Sequence, residues 1–287
     1  MTDYTSTLII GANGQLAKAM QQQYPSARAV GHNDLNLCDA AAIATFDWSG
    51  IKTIINTAAY TNVDGAETSE GRAAAWRINA QAVGQLARIC SEQDITLVHV
   101  SSDYVFDGET APHTEDELFS PLSVYGASKA AGDIAASTTP RHYIIRTSWV
   151  IGDGKNFVTT MLGLAAKNIA PTVVADQIGR LSFTPEIARA IDHLVENKAL
   201  YGTYNVTNSG PLVSWADITR QIFALTGHDD LPVTDTTTAD YFANKPGIAP
   251  RPLNSDLSLD KLHATGFVSQ DWHEALREYV TLNNSLK

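Results

Sequence analysis

The sequence predicts an α/β fold, a doubly wound parallel sheet followed by a smaller mixed α/β domain. Three observations lead there. Short apolar runs alternate with amphipathic stretches through the first half of the chain, which is the pattern of strand–helix–strand units. A glycine-bearing turn, Gly11-Ala12-Asn13-Gly14, directly follows the first apolar run. Hydrophobic residues make up 44% of the 287, enough for a substantial core.

The elements can be justified in order. Thr7 to Ile10 reads as a buried strand and Gln15 to Gln23 as a helix. Ala27 to Val30 and Lys52 to Asn56 are the second and third strands. Arg72 to Gln93 carries Ala75, Ile78, Ala82, Leu86 and Ile89 at helical spacing. Thr96 to Ser101 is rich in β-branched residues and reads as a strand, as does Tyr143 to Arg146, with a helix around Tyr125 between them. Beyond about residue 150 the alternation loosens. Helices are expected over Phe157 to Lys167, Pro185 to Glu196, Trp215 to Leu225 and Trp272 to Leu282, and a strand over Thr172 to Ala175. Leu231 to Pro252 reads as loop and short strand. We divide the chain into a dinucleotide-binding domain, 1–151, and a mainly substrate-binding domain, 152–287, from which about 170–198 returns to the sheet.

Bulk properties narrow the function. The formal net charge of −11 argues against binding nucleic acid or anionic membranes by bulk electrostatics. The two cysteines, Cys38 and Cys90, make no disulfide framework and fit no metal spacing, so no metal is expected. The first six residues lack a basic segment and an apolar core, so no signal peptide is expected. No apolar run approaches the ~18 residues of a membrane span. The expectation is a cytoplasmic protein.

Two segments carry the chemistry. Glycine after the first strand permits a tight turn and close backbone approach to a pyrophosphate, and the helix from Gln15 would aim free N–H groups at it. The tip of the second strand is Gly31, followed by His32 and Asn33. No carboxylate is clearly placed there to repel a 2′-phosphate. This favours NADPH slightly over NADH, although Asp34 takes that place if the strand ends later. The second segment runs from Ser120 to Lys129. Ser120 is expected to cap a helix with Pro121 in its first turn. Tyr125 and Lys129 then share one face. Moving a phenol from ~10 to about 7 takes roughly 4 kcal/mol. A cation ~4 Å away at an effective dielectric of ~20 supplies about that much.

Further segments make the pattern more specific. They are Asn56 to Asp64, Ser101 to Gly108, Arg146 to Val150, Asn156 to Val158, Asp176 to Gly179 and Arg251 to Ser255. With the glycine turn and the Tyr125/Lys129 pair, the chain resembles the extended short-chain dehydrogenase/reductases, whose nucleotide domain is a Rossmann sheet. Within them it resembles the dTDP-4-dehydrorhamnose reductase family. The resemblance implies NAD(P)H-dependent reduction of the C4 keto group of dTDP-4-keto-6-deoxy-L-lyxo-hexose, giving dTDP-L-rhamnose. Tyr125 would be the proton donor, Lys129 its charged neighbour, and Ser102 a hydroxyl orienting the same oxygen. Implied cofactor contacts are Gly11, Asn13, Gly14, Gln15 and Leu16 at the pyrophosphate, Asn36 and Leu37 at the adenine, and Ala58, Ala59, Tyr60 and Thr61 along the ribose, with Tyr125 and Lys129. Implied substrate contacts are Ser102, Asp103, Tyr104, Tyr125 and Trp149, and Arg251 at the diphosphate. Asn79 would extend a proton path. Ala17, Ser102 and Asn36 stand where the family more often has glycine, threonine and aspartate. The resemblance is compatible with a monomer or homodimer and with association with the 3,5-epimerase of the same pathway. The alternatives are another nucleotide-sugar epimerase or reductase, or a non-catalytic cofactor-binding regulatory subunit.

Overall fold

The computed structural model describes residues 4–243 and 245–285. Its strands and helices alternate through the first half. They are β1 (Thr7–Ile10), α1 (Gln15–Gln23), β2 (Arg28–Val30), α2 (Ala40–Thr45), β3 (Thr53–Asn56), α3 (Ser69–Trp76), α4 (Ala82–Gln93), β4 (Thr96–Ser102), α5 (Val124–Ala136) and β5 (His142–Thr147). The second half holds β6 (Val150–Ile151), α6 (Phe157–Ala165), β7 (Thr172–Val174), β8 (Ile178–Gly179), β9 (Ser182–Phe183), α7 (Thr184–Glu196), β10 (Gly202–Asn205), β11 (Val213–Ser214), α8 (Trp215–Leu225), β12 (Thr234–Thr236), α9 (Thr238–Phe242), α10 (Asp260–His263) and α11 (Trp272–Ser285).

The main sheet has six parallel strands in the order β10-β5-β4-β3-β1-β2. Period-two alternation divides its side chains between two cores. Leu8, Ile10, Ile54, Leu97 and Ile144 pack with Val83, Leu86 and Ala87 of α4 on one face. Ile9, Ile55, Val98 and Ile145 pack with Leu16 and Met20 of α1 and Ile187 and Ile191 of α7 on the other. Helices on both faces of a parallel sheet make the fold a doubly wound α/β fold. A third core gathers Val158 and Leu162 of α6, Ile218 and Ile222 of α8, and Trp272 and Leu276 of α11.

Three local findings differ from the expectations. The helix expected from Arg72 to Gln93 begins at Ser69 and is interrupted by a π turn at Arg77–Gln81, which carries the buried Asn79. The helix that carries Tyr125 and Lys129 starts at Val124, capped by Ser123, whose hydroxyl accepts from the Gly126 N–H. Ser120 is held outside it: its hydroxyl accepts from Asp107 N, and its own N–H bonds Val105 O. In the span 170–198, α7 returns to the main sheet, packing with Ile9, Ile55, Val98 and Ile145, whereas β7 pairs with β12 away from it. The strand that joins the main sheet is β10, beyond that span.

Candidate active site

A cavity of about 770 Å³ opens at the carboxyl ends of β1, β3, β4 and β5, the edge where ligands of doubly wound sheets bind. Its two ends are built differently.

One end is backbone. Gly11 has φ +97°, and a Cβ there would lie 2.9 Å from Thr57 Oγ1 and 3.0 Å from Ala58 N. Only glycine brings the turn this close to β3. Gly14 caps α1 without a side-chain hydrogen bond, so the first N–H groups of α1 are free for an anion. This cradle fits a dinucleotide pyrophosphate. Gly11, Asn13, Gly14, Gln15 and Leu16 line it, with Ala58, Ala59 and Thr61 along the β3 side and His32 and Leu37 toward the tip of β2.

The other end is side chain. Ser102, Asp103, Tyr104, Tyr125, Lys129 and Trp149 converge there. Tyr125 and Lys129 lie four residues apart on α5. That helix approaches the turn after β4 so closely that a Cβ on Gly126 would lie 2.1 Å from Tyr104 O. The Ser102 hydroxyl donates to Asp103 Oδ1 (2.9 Å) and accepts from Tyr104 N (3.2 Å). Ser255 donates to Asp103 Oδ2 (2.6 Å), tying the late Arg251 to Ser255 segment to the site. Burial pushes the Asp103 carboxyl up, and the Ser255 and Ser102 hydroxyls oppose it. The Trp149 ring stacks on Trp215 at 3.7 Å, with φ +45° at Trp149.

The electrostatics reverse one expectation. The Tyr125 phenol is pushed up to about 12, by burial first and then by Asp103, with Ser102 pulling the other way. Lys129 does not draw it toward 7. Its ammonium donates to Val100 O at 2.7 Å, and burial lowers it to about 8. At neutral pH the pair is therefore a neutral phenol beside a charged ammonium, the form required for giving a proton.

The family model described as RmlD substrate binding domain matches residues 5–284. The chain belongs to this family. It is 36% identical to the dTDP-4-dehydrorhamnose reductase of Aggregatibacter actinomycetemcomitans, over 94% of this chain and 96% of that protein. A crystal structure of a dTDP-4-dehydrorhamnose reductase from Clostridium acetobutylicum matches with TM-score 0.89 at 36% identity, covering 97% of this chain and 99% of that one. The Bacillus anthracis dTDP-4-dehydrorhamnose reductase, in complex with NADP, matches with TM-score 0.86 at 32% identity, covering 95% and 96%.

Not every residue expected from the RmlD-family resemblance reaches the cavity. Arg251 is absent from its lining. Its guanidinium donates to both Asp64 oxygens (2.9 and 3.0 Å) and to Ala249 O, and lies over Phe242. Asn36 closes a local turn, its Oδ1 accepting from Cys38 N. Tyr60 packs behind Tyr125, with Ala66 and Ala75, and does not itself line the cavity. The amide of Asn79 is taken by Tyr60 N, Tyr60 O and the Ser128 hydroxyl, so its side chain braces the β3 loop against α5. Two partners went unrecognised in the sequence. Ser255 grips Asp103 from about 150 positions away, with no local signal. Asp133, buried on α5, stands four residues after Lys129, and that spacing is visible in the sequence.

Proposed function

We propose that this chain is an NAD(P)H-dependent reductase of a nucleotide sugar, converting the C4 ketone of dTDP-4-keto-6-deoxy-L-lyxo-hexose into dTDP-L-rhamnose. The observation that carries the reading is the convergence of Ser102, Tyr125 and Lys129 at one end of a cavity whose other end is a dinucleotide cradle. A nicotinamide cofactor supplies the hydride when bound. Gly11, Gly14, Gln15 and Leu16 would hold its pyrophosphate with backbone groups. Ser102 orients the C4 oxygen by its hydroxyl. Tyr125 Oη holds a proton at neutral pH and gives it to that oxygen, acting as general acid. Lys129 stabilises the phenolate left behind. Trp149 offers an apolar wall to the sugar.

In this reading residues to about 151 serve mainly the cofactor and later ones mainly the sugar, with α7 and β10 supporting the sheet. NADPH is the favoured reductant, the setting is the cytoplasm, and the assembly is a monomer or homodimer that works beside the 3,5-epimerase. None of the helices in the described residues is long and apolar enough to cross a membrane.

The test is cofactor oxidation, followed at the near-UV band of the reduced nicotinamide, with the keto sugar generated in the cuvette. NADPH and NADH are run in parallel and the product is identified. Oxidation yielding dTDP-L-rhamnose supports the reading. NADPH binding without oxidation would overturn it in favour of another sugar or a binding subunit.

A further inference from the structure

Behind Tyr125 and Lys129 lies a buried charge arrangement that the proposed reaction does not by itself require. Lys129, Asp133 and Arg146 are all at most 3% exposed. Arg146 Nε donates to Asp133 Oδ2 at 3.0 Å. The guanidinium is fixed further by Glu115 O at 3.0 Å and by the faces of Phe106 and Phe119. Asp133 Oδ1 has no hydrogen-bond partner. One carboxylate thus serves two buried cations, one through a hydrogen bond and one across a turn of α5.

We propose that Asp133 is a positioning residue for the reduction, locked by Arg146 so that its buried carboxylate, one turn along α5, keeps the Lys129 side chain cationic beside Tyr125. The proposal rests on the reductase reading for its catalytic meaning, though not for its effect on Lys129.

The surroundings support it from each side. On α5, Asp133 raises Lys129 against the lowering effect of burial, and it also favours the protonated form of Tyr125. One charge therefore holds both members of the pair in the forms a reductive proton transfer uses. From β4, His99 is fully buried, and burial followed by the Lys129 charge pushes its imidazole well below its ordinary range. It remains neutral and supplies no counter-charge. Ser101, also on β4, favours the ionised form of Asp133, as does Arg146 from β5, whereas burial opposes it. From the turn after β4, Asp103 acts on Tyr125. Of these groups, Asp133 is the one that supports the Lys129 charge.

The experiment follows Lys129 directly, in the full chain with and without NADPH. Lysines are labelled at Cε, the Lys129 resonance is assigned with Lys129→Met, and its titration midpoint is read by NMR. Asp133→Asn should lower the midpoint by at least about one pH unit, and Asp133→Glu should restore it. Arg146→Met removes the group that locks Asp133 and favours its ionised form, so it too should lower the midpoint, and the idea stays testable if Asp133→Asn does not fold. The alkaline limb of kcat for the keto sugar should move with the midpoint, while KM at pH 6.5 stays unchanged. A Lys129 midpoint that stays in place in Asp133→Asn or in Arg146→Met overturns the proposal. A midpoint that moves in a protein without turnover supports the proposal and refutes the reductase reading instead.

Discussion

The two ends of the cavity solve opposite physical problems. The phosphate end presents backbone donors at a helix start, with a glycine removing the obstacle. Its donors are backbone N–H groups, which carry no titratable proton. The end that holds Tyr125 and Lys129 buries Asp103, Asp133 and Arg146 with them, where each charge depends on its neighbours. Binding can be built from shape and dipoles, whereas proton transfer needs groups whose protonation the fold controls. Changes at the first end should therefore appear in affinity, and changes at the second in rate and pH dependence.

The largest effect should follow Tyr125→Phe. The ring, its edge contact with Tyr104 at 5.4 Å and its packing remain, and only the proton is removed. Turnover should fall by roughly 10²–10⁴-fold with cofactor affinity unchanged, measured by initial rates and by fluorescence titration. A matching loss of affinity would erase the distinction between the two ends.

Raising the pH should act next, and again only on rate. Tyr125, at about 12, stays protonated through the working range. Lys129, held at about 8, is cationic below that value and neutral above it. The reduction rate should be flat toward neutral pH and fall about tenfold per unit above 8. A profile of kcat against pH with its limb near 12 would assign the control to the phenol. NADPH affinity should change far less than the rate over the same range.

Gly11→Ala addresses the other end. A φ of +97° is costly for any residue with a Cβ, and this Cβ would press on Ala58 N, which cannot turn aside. A stability loss of about 1–3 kcal/mol is expected, together with weaker NADPH binding. Denaturant unfolding and cofactor titration measure the two separately. Saturating cofactor should recover most of kcat, since nothing at Tyr125 has changed.

The same contrast explains what the sequence disclosed. α1 and α8 lie where periodicity placed them, because an amphipathic face against a core is written in local spacing. Gly11 and the Tyr125/Lys129 pair were legible for the same reason. The start of α5 was not. Ser120 and Ser123 are both competent caps, and the choice is made by Asp107 N and Val105 O on one, and by Glu67 accepting from Val124 N beside the other. Strand β10 was missed because it is only four residues long, with strand-forming Thr203 and Tyr204 set between Gly202 and Asn205, and tertiary bonds hold it: Asn205 N reaches Glu115 and its amide reaches His113 O. Arg251 carries no mark of its pairing with Asp64, 187 positions away. Residues acting through neighbours close in sequence could be found early. Those whose partners are supplied by folding could not.

The smallest effect is expected where the two halves meet at the surface. Lys18, on the outer side of α1, pairs with Asp153 in the loop after β6 at 2.5 Å, and the side chains are 48% and 69% exposed. By distance alone this contact rivals Arg146 and Asp133. The difference lies in the solvent. Water and salt screen an exposed pair, and fixing two mobile side chains costs entropy that offsets the attraction. In the interior an unpaired charge has no such substitute. Lys18→Met should leave the unfolding midpoint, the NADPH affinity and kcat unchanged. A clear loss of cofactor affinity in this variant would mean that the pair holds the α1 end of the cavity shut, and that the phosphate end depends on charge after all.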